Sequence, residues 1–183
     1  KPNAAIVLTA SQPFTSTLVM SNIDCFRYQW IWVKEKPGNF QQAKNRPLKY
    51  CEDVCVFSKS PHLYKPQGLV EINRVNKNNN SKIGSMGHVK KYEGTYVQRF
   101  TNYPSDIIEV NNEKGYHPSQ KPVALFEYLI KTYTNEGETV LDNCAGSGTT
   151  AVACENTNRK WICIEQLPEY YYPAVMRVAG AVK

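Results

Sequence analysis

Residues Thr139 to Thr150 read TVLDNCAGSGTT. The aliphatic run Thr139-Val140-Leu141 ends at Asp142 and passes into Ala145-Gly146-Ser147-Gly148. The pattern predicts a short buried strand, a glycine turn and then a helix over Thr149 to Asn156. Glycines there let the backbone approach a ligand and adopt dihedrals that other residues avoid. A helix N-terminus adds unpaired N–H groups. The next strand, KWICIE from Lys160, ends at Glu165. That acid falls about twenty residues after the glycines, the position from which nucleotide-binding α/β folds hold ribose hydroxyls. A plain glycine turn beside a surface glutamate fits the same letters.

Working outward, Pro168 begins a terminal helix that runs to Val178, proline being suited to a first turn. Upstream, Pro122 lies near another helix start, with Ser119 as its candidate cap. Leu125, Phe126, Leu129, Ile130 and Tyr133 then recur on one helical face. Strand–helix–strand–helix order predicts an α/β fold with parallel strands. Nearer the N-terminus, Ala4 to Ala10 (AAIVLTA) predicts a buried strand. In YQWIWVK, Tyr28, Trp30 and Trp32 alternate with Gln29, Ile31 and Val33, which predicts a second strand with one aromatic face. Pro37-Gly38-Asn39 breaks it, and Glu52 to Ser58 predicts a third.

The stretch from Ser60 to Tyr116 differs. It has few aliphatic runs and contains Asn78-Asn79-Asn80. Its basic residues, among them Lys65, Arg74, Lys77, Lys90, Lys91 and Arg99, alternate with Tyr64, Tyr92, Tyr96, Phe100 and Tyr103. It reads as a long, loop-rich insertion. Loops of that length are functional or disordered.

The chain has 183 residues, 42% of them hydrophobic, with a mean hydropathy of −0.50. No run of 18 apolar residues occurs, so no membrane-spanning helix is expected. KPNAAIVLTA lacks the features of an export signal, so a cytoplasmic location is expected. A net charge of +6 suits an anionic partner such as nucleic acid. Six cysteines form an even number, but without an export signal they read as free thiols. CEDVC (Cys51, Cys55) has no second ligand pair nearby, so no metal site is expected.

HPSQKP at 117–122, then VLDNCAGSGTTAVA, then WICIEQLPEYYYPAVMRV, together resemble the AdoMet-binding end of the DNA N6-adenine/N4-cytosine methyltransferases. That family shows an HPxxKP block, a strand ending in D-x-F-x-G-S-G-T-T, and an acid closing the next strand. Cys144 stands where the family has an aromatic, which loosens packing beside the cofactor. Upstream, KPNAAIVLTAS, IWVKEKPGNFQQ and KYCEDVCVFSK resemble the same family, with Cys51 where histidine is common and Glu52 matching. The likeness covers residues 1–60 and 114–180, in the motif order called the beta class.

The resemblance implies a Rossmann-like AdoMet-dependent methyltransferase fold with a loop-rich insertion. Residues 1–60 would form the target-base side of the core, 61–114 the target-recognition insertion, and 115–183 the AdoMet-binding part. It implies methylation of adenine N6, with cytosine N4 second, in double-stranded DNA, within a restriction–modification setting; a homodimer is a further expectation. S-adenosylmethionine would be held by His117, Ser119, Lys121, Asp142, Ala145, Gly146, Gly148, Thr149, Thr150 and Glu165. DNA would meet Trp32, Lys34, Asn39, Phe40, Arg74, Lys90 and Lys91, although Trp32 and Phe40 equally suit ordinary core positions.

The family's catalytic tetrapeptide, [D/N/S]-P-P-[Y/F/W], is absent, and no catalytic residue is assigned. The family places it on the strand before the one at Ala4. The chain therefore reads as a fragment, expected to bind AdoMet weakly and to transfer no methyl group alone; an AdoMet- and DNA-binding module without turnover is the alternative. With that strand central, the strands at Ala4 and Thr139 are expected not to pair. Direct pairing of Ile6–Thr9 with Thr139–Leu141 is the opposite outcome.

Overall fold

The computed structural model describes residues 1–77, 94–113 and 120–181. In chain order the elements are β1 (Ile6–Ala10), α1 (Phe14–Ser21), β2 (Phe26–Val33), β3 (Cys51–Phe57), β4 (Val70–Lys77), β5 (Thr95–Thr101), β6 (Ile107–Glu109), α2 (Val123–Tyr133), β7 (Thr139–Asp142), α3 (Thr149–Asn156), β8 (Lys160–Cys163) and α4 (Pro168–Ala181). They form two compact units, Lys1–Lys65 with Ser105–Lys183, and Pro66–Pro104.

The first unit contains a four-stranded sheet in the order β1-β3-β2-β6. β3 runs antiparallel to both of its neighbours, and β6 lies parallel to β2. Register fixes the faces. Tyr28 pairs with Val56, Trp30 with Val54 and Trp32 with Glu52, so these six side chains share one face. On that face Trp30, Trp32, Val54 and Val56 are buried with Ile108 of β6 and with Leu125, Leu129 and Tyr133 of α2. The three α2 residues recur every fourth position and make one stripe.

A second stripe on α2, Val123, Phe126 and Ile130, packs on α3 through Ala153 and Cys154 and on Val140 of β7. α3 is buried from Thr149 to Cys154, which explains its small residues: neighbours stand on every side. β7 and β8 form a parallel pair joined through α3. β1 pairs with β3 and β7 with β8, and no ladder joins β1 to β7 among the described residues. Ile6 and Leu8 of β1 and Leu141 of β7 are correspondingly exposed.

Three sequence readings change. The insertion is not only loop: β4 and β5 form an antiparallel ribbon, and β6 joins the main sheet. The apolar residues of β4 and β5 stay exposed, so the aliphatic run that marks a buried strand is missing there. α1 was not predicted, because FTSTLVMS buries only Thr15. The cap position of α2 falls on Pro122, which supplies no side-chain cap; Ser119 lies outside the described residues.

At the far end of α2, Trp30 Nε1–H donates to the Tyr133 hydroxyl at 2.6 Å. The Tyr133 and Tyr28 hydroxyls share a hydrogen bond at 3.1 Å, and Tyr28 shares another with Nε2 of His62, also at 3.1 Å. Burial, with the nearby Arg27 charge, lowers the His62 pKa below the ordinary value. A histidine lowered on folding contributes stability that is complete above about pH 6.5 and is lost as pH falls through that value toward the lowered one. The parent should therefore lose more stability than His62→Gln between pH 7 and pH 5.5, measured by urea midpoints. At pH 7 the variant, which keeps an acceptor, should lie within about 1 kcal/mol of the parent.

Candidate functional site

β7 delivers Asp142 to the mouth of the glycine turn, and the carboxylate organises that turn. One oxygen accepts the Cys144 N–H at 3.0 Å, and the other accepts the Thr150 hydroxyl. Ile164 N–H donates to the Asp142 carbonyl at 2.8 Å, and Ala145 N–H donates to the Ile164 carbonyl at 3.0 Å. The turn is thus tied to the chain leaving β8. Gly146 (φ 52°) and Gly148 (φ 74°) both lie in the left-handed region. At Gly148 a Cβ would also stand 3.1 Å from that of Ala174 on α4, so dihedral and packing both require glycine.

Glu165 lies two residues beyond the end of β8. Its carboxylate accepts the Gly146 N–H at 2.8 Å and the Leu167 N–H at 2.9 Å. The acid and the glycine turn, read separately from sequence, are in direct contact. Arg177 of α4 closes the other side: it donates to the Ser147 carbonyl at 3.2 Å and to the Thr149 hydroxyl at 3.0 Å, and it pairs with Glu113 at 3.5 Å. Sequence reasoning missed Arg177. The available signal was its place on the Ala174–Arg177–Val178 stripe, the inward face of α4.

The end of the HPSQKP block borders the same turn. Ser147 donates its hydroxyl proton to Gln120 Oε1 at 2.7 Å, and Thr149 donates to the Lys121 carbonyl at 3.3 Å. His117 and Ser119 lie outside the described residues. The Lys121 ammonium points to Glu52, 3.0 Å away, and Lys34 pairs with the other Glu52 oxygen. Lys34 stands 4.8 Å and Lys121 5.8 Å from the Trp32 ring centre. Burial works against ionisation of Glu52, but hydrogen bonds and charge from the two lysines prevail and hold its pKa below the ordinary carboxylate value.

Two expected cofactor and DNA residues, Lys121 and Lys34, are thus joined through one carboxylate. Trp32 is a core residue, its indole N–H donating to the Val110 carbonyl at 2.8 Å. Asn39 folds the following loop by accepting from Lys49 N–H and donating to the Pro47 carbonyl. Phe40 is 75% exposed and packs in no core. Arg74 belongs to the second unit, and Lys90 and Lys91 lie outside the described residues. Of the nearby thiols, Cys144 on the turn is exposed, whereas burial pushes Cys154 up to about 12 and Cys163 up to about 11.

What the arrangement can do follows from these contacts. A glycine turn of fixed shape leads into a helix N-terminus, with a carboxylate beside it for hydroxyl groups and a lysine–glutamate–lysine cluster nearby. Removing the central charge of that cluster leaves two poorly hydrated ammonium groups facing each other. Glu52→Gln should cost about 3 kcal/mol of stability at neutral pH. Because the Glu52 pKa is lowered on folding, its contribution is complete above about pH 4.5 and is lost as pH falls through the folded value. Parent and variant should therefore converge in acid. Equal urea midpoints at pH 7 would remove the cluster from the list of stabilising interactions.

Comparison with known proteins places this geometry. M.HindIII of Haemophilus influenzae, a type II methyltransferase, is 43% identical over 77 residues, which are 40% of this chain and 25% of that protein. The probable type III restriction-modification enzyme HindVI Mod subunit of the same species is 35% identical over 121 residues, 62% of this chain and 16% of that protein. The chain spans less than a third of the length of the curated relatives it matches. Among solved structures, the M1.HpyAVI–SAM complex matches with a TM-score of 0.66 at 27% identity, over 97% of this chain and 76% of that one. The PvuII cytosine-N4-specific DNA methyltransferase matches with a TM-score of 0.66 over 97% of this chain and 64% of that one; at 19% identity this likeness speaks for the fold alone. The model of the N6/N4 DNA methylase family matches residues 1–176, and the chain belongs to that family.

Proposed function

We propose that the protein methylates an exocyclic amine in DNA, adenine N6 first and cytosine N4 second, with S-adenosylmethionine as donor. The observation that carries the reading is the contact of Glu165 with the Gly146 N–H, which sets the acid at the mouth of the glycine turn. The residues fit the group. The turn has the left-handed backbone that lets a ligand lie close, α3 begins immediately after it, and Glu165 offers acceptors to a ribose. Family membership supports the same reaction class.

The donor, when bound, supplies a methyl group on a positively charged sulfur. The chain's own residues have separate tasks. Glu165 accepts the ribose hydroxyls. Gly146 and Gly148 keep the wall thin, and Asp142 and Arg177 hold that wall in place from either side. Ala145, Thr149 and Thr150 complete the turn, and His117, Ser119 and Lys121 are the further residues assigned to the donor. Lys34, Asn39 and Phe40, with Trp32 behind them, form the base side. Arg74, Lys90 and Lys91 meet DNA phosphates and edges from the recognition insertion 61–114. Positioning of donor and amine supplies much of the rate in such a displacement.

Glu165→Ala should weaken AdoMet binding about tenfold to a hundredfold, the loss expected for hydrogen bonds to a charged group. Glu165→Gln, which keeps the shape, should lose less. Calorimetric titration decides, and unchanged affinity in both variants would remove Glu165 from the site. Joined to a segment that carries the [D/N/S]-P-P-[Y/F/W] tetrapeptide, residues 1–183 incubated with labelled AdoMet and duplex DNA should give N6-methyladenine by nucleoside mass spectrometry. Only N4-methylcytosine would reverse the order of acceptors, and no labelled nucleoside would reject the reaction. Residues 1–183 alone should transfer no methyl group.

A further inference from the structure

The ribbon of the second unit has two chemically different faces. β4 and β5 pair Arg74 with Gln98, Val75 with Val97, Asn76 with Tyr96 and Lys77 with Thr95. Successive side chains alternate between faces, and directly opposed ones share a face. One face therefore carries Arg74, Asn76, Tyr96, Gln98 and Phe100. The other carries Val75 and Val97 at its centre.

The first face is built and not random. Asn76 Nδ2 donates to Gln98 Oε1 at 3.1 Å, and Gln98 Nε2 donates to the Phe100 carbonyl at 3.2 Å. Two carboxamides are thus held side by side between a guanidinium and two aromatic rings. A break in register between Glu71 and Arg74, with Asn73 at φ 46°, shifts the strand just before this cluster. Glu71, also on this face, accepts from Asn73 Nδ2 at 2.8 Å. The base of the ribbon is closed by Asn102 Nδ2 donating to the Gly68 carbonyl at 2.7 Å.

Charge names the occupant. Residues 66–104 contain Arg74, Lys77, Lys82, Lys90, Lys91 and Arg99 against Glu71 and Glu93, so this segment holds +4 of the chain's +6. A two-stranded ribbon fits the major groove of duplex DNA. Carboxamides match the donor–acceptor pair of adenine there, a guanidinium matches the two acceptors of guanine, and an aromatic ring meets the thymine methyl. The valine face carries Lys77, Thr95 and Arg99 around its two valines, but no carboxamide and no aromatic ring.

We propose that the β4–β5 ribbon reads duplex DNA from the major groove with its Arg74–Asn76–Gln98 face, Asn76 and Gln98 selecting adenine. This rests on the DNA-modifying reading above and adds the element, the face and the groove. The test is selection of bound duplexes from a pool with randomised central positions. The parent should enrich a sequence containing adenine. Asn76→Ala with Gln98→Ala should reduce discrimination at an adenine position at least about tenfold, within the range of a bidentate contact. Its affinity for the unselected pool should change much less, because phosphate contacts carry non-specific binding. Val75→Thr with Val97→Thr should leave the selected sequence unchanged. Guanine N7 methylation by dimethyl sulfate, a major-groove modification, should block binding of the parent.

An unchanged preference in the carboxamide variant, a preference that moves with the valine pair, or interference confined to minor-groove adenine N3 would each overturn the proposal. Preference for single-stranded RNA, or self-association through this face without DNA binding, would do the same. A protein that still methylates DNA while the carboxamide variant keeps its sequence preference loses this inference and keeps the proposed function. A protein that binds no duplex loses both.

Discussion

Helix α2 is the constraint on which the first unit depends, because it must satisfy two surfaces at once. Leu125, Leu129 and Tyr133 enter the tryptophan-lined face of the four-stranded sheet, while Phe126 and Ile130 meet α3 and β7. No hydrogen-bonded ladder links that sheet to the β7–β8 pair among the described residues. Side-chain packing on one helix therefore carries the relation between them. Packed interiors transmit displacement, so a shift of α2 on one side is felt on the other. Polar contacts gather at its two ends: the Lys121–Glu52–Lys34 cluster before its first turn, and the Trp30–Tyr133–Tyr28–His62 chain at its last. These directional bonds fix the rotation and height of a helix that apolar contacts alone would hold loosely.

The glycine turn follows the same logic at smaller scale. Its shape comes from backbone groups claimed in advance: Cys144 N–H by Asp142, Gly146 N–H by Glu165, Ala145 N–H by Ile164. Ala174 presses from one side and Arg177 from another. A site fixed this way loses little freedom when a ligand arrives, which is the general advantage of preorganisation.

Much of this was legible in the letters. The strand, turn and helix around Asp142 and Gly148 appear because each step has its own residue chemistry: aliphatic, then glycine, then small helix formers. The alternation of Tyr28, Trp30 and Trp32 also gave the correct buried face, since only one side of that strand is covered. Other features depend on chain reversal. Nothing in the spacing of Lys34, Glu52 and Lys121 announces an ion cluster; it exists because β2 and β3 pair in one register and α2 returns over them. Arg177 was hidden for a similar reason, as a cation on a helix usually points to solvent. The ribbon escaped notice because its valines and aromatics lie exposed on both faces, with no core to enforce a run of aliphatic residues.

The thiols of the first unit differ in a way that makes the glycine turn observable. Alkylation needs the thiolate, and Cys154 and Cys163, raised by burial to about 12 and 11, are almost wholly protonated near neutrality. Cys55 is buried and raised as well. Cys144 stands exposed in the turn itself, with Cys51 the other exposed thiol among the described residues. With Cys51 replaced by serine, a small environment-sensitive fluorophore would enter preferentially at Cys144, two residues from Gly146. The turn thus carries an attachment point for optical spectroscopy, from which ligand arrival can be followed in real time without adding a foreign residue to it.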